Sequence, residues 1–260
     1  MDIFLIIGVI TGFLAVVVGM ILKGANIEVL LNAPAACIII IGTIAATSNS
    51  FPKKEILNVP KILKVLFSDK KKIDPTEVIK QILELAQMAR REGLLSLEQT
   101  IENTENQFMK RSLGMVIDGV EEEYIREVLN VEIDAMEERH RAAASIFSTA
   151  GSAAPTLGVL GAVVGLIGAL GNLNDVDKLA HMIAAAFVAT LYGIFIGYVL
   201  CHPFASRLKR KSHEEVSVLR IIAEGVLSIQ AGESPKSMEL KLFGMLEPET
   251  RKKLEQPDEK

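Results

Sequence analysis

Residues 150–171 read AGSAAPTLGVLGAVVGLIGALG. This stretch has no charged side chain and is long enough to cross a bilayer as one helix. Its six glycines recur at spacings of three, four and seven, which places small residues on more than one face of such a helix. In lipid, small residues allow neighbouring helices to approach closely. The stretch therefore predicts a membrane helix that packs against other helices on several sides.

Pro155 stands inside this stretch. A proline removes one backbone donor and leaves carbonyl groups without a partner in the helix. Such groups are tolerated at membrane depth only where they face protein or a water-filled cavity. Two interpretations remain open. The helix lines a pore, or it is a packing helix with a proline kink.

The composition indicates a membrane protein. Half of the 260 residues are apolar, the mean hydropathy is +0.34, and there is no tryptophan. The net charge of −4 is mild and gives no reason to expect a nucleic-acid partner. The two cysteines, Cys37 and Cys201, stand apart in apolar runs, so neither a disulfide framework nor a zinc site is expected.

Four apolar runs stand out, and they are Ile3–Leu22, Val29–Ala46, Phe147–Leu170 and Leu179–His202. The first run resembles a signal peptide, but no positive charge precedes it, and we interpret it as a retained membrane helix. The runs predict an all-α polytopic membrane protein with four transmembrane helices and a helical cytoplasmic domain.

Lysines and arginines near the helix ends predict the orientation, because basic residues accumulate on the cytoplasmic side. The two short loops hold one basic residue each, whereas the segments after the second and fourth runs hold several. Both termini are therefore expected in the cytoplasm. The predicted division is a first helix pair over residues 1–47, a cytoplasmic helical domain over 48–146, a second pair over 147–203, and cytoplasmic C-terminal helices with a tail over 204–260.

The cytoplasmic segment carries local helix signals. Asp74 predicts the start of a helix that Gly93 ends, and Ser96 with Gln99 predicts a capping box for a further helix. A pattern beginning at Glu121 predicts one long helix that continues into the third span. That helix is either a structural stalk or an element that transmits movement between membrane and cytoplasm.

Residues 53–67 are amphipathic, with apolar positions among lysines. Such a segment either lies along the membrane surface or packs on neighbouring helices. The sequence leaves both interpretations open.

No catalytic motif occurs in the sequence, and its four histidines are scattered. We therefore expect neither an enzyme nor a bound cofactor or metal. The four apolar runs contain no Asp, Glu, Lys or Arg, although an ion path through a bilayer usually requires an ionisable group. The chain offers hydroxyl groups instead, such as those of Thr156 and Thr190. A conducting path would thus need a carboxylate from a partner.

Three segments in order resemble the family of flagellar stator A subunits (MotA), and the resemblance covers nearly the whole chain. They are ARREGLLSLE at residues 89–98, SAAPTLGVLGAVVGLIGAL at 152–170 and FVATLYGIFIGYVLCHPFASRLK at 187–209. The resemblance implies an inner-membrane ion channel that couples proton flow to torque. It also implies a ring of A subunits, taken to be five, around a dimer of a B subunit that supplies the ion-binding aspartate.

The resemblance further implies roles for individual residues. Pro155 matches the family's proline beside the partner's aspartate, and Thr190 matches a pore-facing threonine. Pro203 matches a second proline, implicated in coupling ion passage to movement. Arg90 and Glu98 match a charged pair that engages the rotor protein FliG. Without the resemblance, these two residues read as an ordinary surface pair.

Ala162 bears on the transported ion. Sodium-driven relatives have threonine at the matching position, so the alanine leaves one hydroxyl fewer for a desolvated cation. This favours H⁺ over Na⁺.

Two other functions are compatible with parts of the pattern. A transport energiser of the ExbB/TolQ type would use similar helices, but that group has three spans rather than four. A non-conducting membrane scaffold would show no ion leak when it is expressed with a B-type partner.

Overall fold

The computed structural model describes residues 2–68 and 73–255, and within these ranges it contains helices and no strand. The all-α class is confirmed, and four helices are long and apolar enough to cross a membrane. The helices, named in chain order, are α1 Ile3–Leu22, α2 over residues 33–50, α3 Lys53–Ile56, α4 Val59–Phe67, α5 Pro75–Glu92, α6 Glu98–Glu102, α7 Gln107–Ile117, α8 Glu122–Leu170, α9 Val176–Gln230, α10 Pro235–Phe243 and α11 Pro248–Glu255.

The described chain forms two compact units. One unit contains residues 2–68 and 140–210, and the other contains residues 73–139 and 211–255. The boundaries expected from hydropathy, after residues 47, 146 and 203, concern the bilayer rather than packing, so the predicted division into membrane and cytoplasmic parts stays a prediction. The first unit includes α3 and α4 in addition to the membrane helices. Residues 256–260 of the expected tail lie outside the described residues.

The long helix α8 has 49 residues and contains Pro155. At 1.5 Å per residue it is about 73 Å long, more than twice the hydrocarbon thickness of a bilayer. The expected continuity between the cytoplasmic segment and the third span is therefore present. The proline does not end this helix.

The fourth span and the following charged segment are also one helix, α9. A π-helical stretch, Phe195–Cys201, lies just before Pro203. A π turn holds one more residue than an α turn, and this accommodates a proline that cannot donate a hydrogen bond and whose ring crowds the preceding turn. α2 contains a similar π stretch, Cys37–Ile41.

The first two membrane helices differ in how far they are covered. α1 has no buried residue, although Gly12 lies against Val199 of α9. α2 contributes Ala35 and Ile39 to a small buried cluster with residues of α8 and α9. In the single chain, α1 is therefore peripheral, whereas α2 is partly buried.

The amphipathic segment packs on the membrane unit. Leu66 of α4 is fully buried beside Ala144 and Phe147 of α8 and Ala205 and Leu208 of α9. Leu57 and Val65 of the same segment are exposed, so packing on neighbours and contact with a membrane surface are compatible.

The start of α1 is held in this same unit by Asp2. Its backbone N–H donates to the carbonyl of Phe67 at 3.0 Å, and its carboxylate accepts from Arg207 Nε at 2.9 Å and Nη2 at 2.5 Å. The Asp2 side chain is only 5% exposed. Three segments that are distant in sequence therefore meet at one buried ion pair.

The second unit is built around its own apolar core. Buried residues from α5, α7, α8, α9 and α10 form one cluster, with Ile82 and Ile222 fully buried. Asp74 caps α5 by accepting from the Thr76 N–H at 2.9 Å, and Gly93 ends it with φ of +86°. Both predicted ends of that helix are correct. The capping box at Ser96 is wrong, because residues Leu94–Leu97 form a 3-10 turn in which the Ser96 hydroxyl donates back to the Gly93 carbonyl.

Candidate functional site

The glycines of the opening stretch lie where α8 contacts α9. A Cβ atom placed on Gly158 would lie 3.0 Å from the Ala189 carbonyl oxygen, and one on Gly165 would lie 3.0 Å from the Ala186 Cβ. Further along, a Cβ on Gly168 would meet the Met182 side chain at 2.8 Å. Within the single chain, the small residues therefore serve close approach of these two helices.

The contact from the α9 side is closer still. A Cβ on Gly193 would lie 2.6 Å from the Ala154 carbonyl oxygen and 3.1 Å from the Pro155 Cα. A Cβ on Gly197 would lie 2.6 Å from the Gly151 carbonyl oxygen and 2.7 Å from the Pro155 ring. Pro155 is thus in direct contact with a glycine face of α9. Gly193 and Gly197 therefore form one packing surface, and this surface contacts the turn of α8 that contains Pro155.

Thr190 lies about one turn from Pro155 along the contact between α8 and α9. A Cβ on Gly158 would lie 3.3 Å from the Thr190 Cα, and Gly193, one turn further along α9, lies against Pro155. The Thr190 hydroxyl donates to the Ala186 carbonyl across 3.5 Å, which is at the long limit for such a bond. By comparison, the Thr156 hydroxyl donates to the Ser152 carbonyl at 3.0 Å. The Thr190 hydroxyl is therefore weakly held and available to another acceptor or to a cation.

The other predicted pathway residues lie further away. Ala162 is half-buried and lies about two turns beyond Pro155 along α8. Pro203 is exposed and follows the π stretch, one residue after His202, whose ring would meet a Cβ on Gly151 at 3.0 Å. Pro155 and Thr190 thus lie on the same contact between α8 and α9, one turn apart, whereas Ala162 and Pro203 lie further along their helices.

One face of α8 in the membrane unit is uncovered. Ser152 and Thr156 are exposed on this face before residue 158, and a longer apolar set is exposed towards the C-terminal end of α8, comprising Val159, Leu160, Val163, Val164, Leu166, Ile167 and Leu170. Nothing in the described chain encloses Thr190 or Thr156 in a closed channel. A pathway at this hairpin would need further subunits for its remaining walls.

Arg90 and Glu98 lie in the other unit. Arg90 is in the last turn of α5 and Glu98 is the first residue of α6, on either side of the turn that begins at Gly93. Both are exposed, and no ion pair joins them in the described ranges. Both charges are therefore open to a partner, and the structure does not require them for its own stability.

Two contacts had no signal in the sequence. Asp2 and Arg207 are separated by 205 residues, and neither stands in a motif. The Tyr192 hydroxyl donates to the Leu30 carbonyl and thereby connects α9 to the turn before α2. Among the described residues no group of His, Cys, Asp or Glu could hold a metal ion.

The chain is similar to known proteins over nearly its full length. Residues 100–221 match the family described as "MotA/TolQ/ExbB proton channel family", and residues 6–93 match "Motility protein A N-terminal". Motility protein A of Bacillus subtilis (strain 168) is 50% identical over 254 residues, which is 98% of this chain and 94% of that protein.

Two solved structures have the same fold. The flagellar MotAB stator complex from Bacillus subtilis contains a chain with a TM-score of 0.91 and 50% identity, covering 96% of this chain and 98% of that chain. The MotAB structure from C. jejuni gives a TM-score of 0.90 at 33% identity, covering 95% and 97%.

Proposed function

Because this chain belongs to the MotA/TolQ/ExbB proton channel family, among its motility A proteins, we propose that it couples proton flow across the inner membrane to torque on the flagellar rotor. It is a flagellar stator subunit, a channel component for which no enzymatic family is indicated. The match of residues 6–93 to a motility protein domain favours this role over an energiser of the ExbB/TolQ type.

The proposal rests on the membrane-spanning parts of α8 and α9. Neither of these two spans contains a carboxylate, and Pro155 and Thr190 lie about one turn apart along their contact, beside an uncovered face. A B subunit that supplies an aspartate beside this contact would complete the pathway, and the similar chains in the solved structures are parts of MotAB complexes. A charged carboxylate is costly at membrane depth, and protonation would neutralise it. Alternation between the protonated and the charged form of this carboxylate drives the movement of the A subunits relative to the B subunits.

The proposed assembly is a ring of A subunits, five in number, around a B-subunit dimer. The chain crosses the inner membrane four times with both termini in the cytoplasm, which follows from its basic segments. Arg90 and Glu98 then lie on the cytoplasmic side and engage FliG on the rotor. Pro203 lies where α9 leaves the membrane, and it transmits the change from the pathway to the cytoplasmic unit.

Replacing Thr190 with valine is expected to lower proton flux and swimming about tenfold while assembly persists. The reason is that valine keeps the shape of the side chain but removes its hydroxyl. A tenfold change in rate corresponds to ~1.4 kcal/mol in barrier height. Flux is measured as acidification of the cytoplasm in cells that express the chain with a B partner, and assembly is measured by co-purification of the two subunits. Thr11→Val is the matched control, since the Thr11 hydroxyl donates to the Ile7 carbonyl of its own helix at 2.8 Å. Loss of co-purification in Thr190→Val would make Thr190 a packing residue.

Arg90→Glu is expected to leave cells flagellated but non-swimming, and Glu98→Lys is expected to weaken swimming for the same electrostatic reason. Each reversal places a like charge opposite the rotor group that the native residue attracts. Lys80→Glu is the control, because Lys80 is also exposed on α5 but lies about 15 Å away along the helix. Normal swimming of Arg90→Glu in a deletion background would exclude this surface from rotor contact.

The transported ion is proposed to be H⁺, since Ala162 provides no hydroxyl for a desolvated sodium ion. We expect a protonophore to stop tethered cells at constant sodium, and removal of sodium to leave their rotation unchanged. Rotation that follows the sodium gradient would overturn this proposal and leave the stator role intact.

A further inference from the structure

The turn between α5 and α6 is fixed at both ends by the core. Leu97 is fully buried and Leu94 packs against the same apolar cluster. Gly93 takes a φ of +86°, which favours glycine, and its carbonyl accepts from the Ser96 hydroxyl at 2.7 Å. The backbone of this turn is therefore held in one conformation.

Leu95 points out from this fixed turn. In a 3-10 helix the side chains at i and i+3 lie on the same side, so the inward positions of Leu94 and Leu97 direct Leu95 outward. Leu95 is 73% exposed, the most exposed large apolar side chain among the described residues of this unit. Isolated exposed leucines are common on proteins, so its position, rather than its exposure alone, carries the argument.

Leu95 stands along the chain between two charges that pair with no other described residue. Arg90 precedes the turn and Glu98 follows it, and both are exposed. An exposed apolar side chain on a fixed turn, with a basic residue before it and an acidic residue after it in the chain, supplies the components of an interface anchor with a charged rim. Charges at the rim of an interface fix the register of the two partners and increase their rate of association. The apolar centre of the interface slows the dissociation of the complex.

We propose that Leu95 is the apolar anchor of the rotor-binding surface and inserts into an apolar pocket on the rotor protein. That pocket has an acidic group facing Arg90 and a basic group facing Glu98. The inference rests on the proposed function, and it assigns the retention time of the stator at the rotor to Leu95 rather than to the charges alone.

The test compares Leu95→Ser with Leu240→Ser in full-length protein assembled with its B partner. Leu240 is 67% exposed in the same unit but lies on α10, away from the turn. The number of fluorescently labelled stator units at each motor is counted at high load. We expect the number of stator units at each motor to fall about fivefold for Leu95→Ser, which is the scale of the loss of an anchor residue. Leu240→Ser is expected to equal wild type, and Leu95→Met is expected to retain most of the units.

Arg90→Glu and co-purification with the B partner separate the possible outcomes. Normal occupancy of Leu95→Ser beside a loss in Arg90→Glu would overturn the anchor and leave the rotor surface in place. Normal occupancy of Arg90→Glu would instead remove the proposed rotor surface itself. Loss of co-purification in Leu95→Ser would show a structural role for Leu95, and this too would overturn the anchor.

Discussion

Replacement of Gly193 by alanine is expected to force α8 and α9 apart and to abolish swimming. The added Cβ would lie 2.6 Å from the Ala154 carbonyl oxygen, 2.9 Å from the Gly158 Cα and 3.1 Å from the Pro155 Cα. All three are backbone atoms, so no side-chain rotation can relieve the contact. Overpacking of this kind typically costs about 1–3 kcal/mol, and here it acts directly beside Pro155 and one turn from Thr190.

Gly8→Ala is the matched control, because the same substitution there meets nothing within 4 Å. Alanine is the better helix former by roughly 1 kcal/mol, so the control is expected to equal or exceed wild type in thermal stability. The measurement is the unfolding midpoint of the purified A–B complex together with soft-agar swimming. Equal behaviour of the two variants would mean that the hairpin can shift without loss of function, and the pathway would then not depend on this close approach.

Asp2→Asn is expected to destabilise the membrane unit by about 2–3 kcal/mol. Removing one partner of a buried ion pair typically costs about 3–5 kcal/mol, because the remaining charge is left uncompensated. We expect a loss below that typical range because the Arg207 side chain is 39% exposed and keeps part of its hydration. Asparagine retains the shape of the side chain, so packing around it is unchanged.

The double variant Asp2→Asn/Arg207→Gln separates the pair from its surroundings. If the ion pair is the cause, the double variant loses less than the sum of the two single variants. Glu122→Gln is the exposed control, since Glu122 pairs with Arg126 at 2.7 Å with side chains 44% and 41% exposed, and a loss of about 0.3–0.5 kcal/mol is expected. Strict additivity of Asp2→Asn and Arg207→Gln in thermal unfolding would contradict coupling between these residues.

Several features were predictable from the sequence because their causes are local. Apolar runs of membrane length predict the four spans, and the sequence around Asp74 and Gly93 correctly predicts both ends of α5. Local signals also failed where a neighbouring structure competed. The Ser96 capping box is replaced by a 3-10 turn that Leu97 anchors in the core.

The candidate site was only partly predictable. The residues themselves drew attention to Pro155 and Thr190, whereas only the family resemblance pointed to Ala162, Pro203, Arg90 and Glu98. The structure places Thr190 against Gly158 and Pro155 against Gly193, and no pattern along the chain could pair these positions. The roles of all six remain proposals, and the variants above test those of Thr190, Arg90 and Glu98.

The sequence alone therefore determined which segments enter the membrane, since transfer of an apolar run into lipid depends on that run's own side chains. It also determined that the decisive stretch would pack closely, because glycine permits close approach wherever it stands. Only the tertiary structure decided what each glycine faces, that Asp2 meets Arg207 across 205 residues, and that Leu95 points outward while Leu94 and Leu97 are covered. These outcomes depend on contacts between residues distant along the chain, and packing of whole helices settles them rather than any local preference.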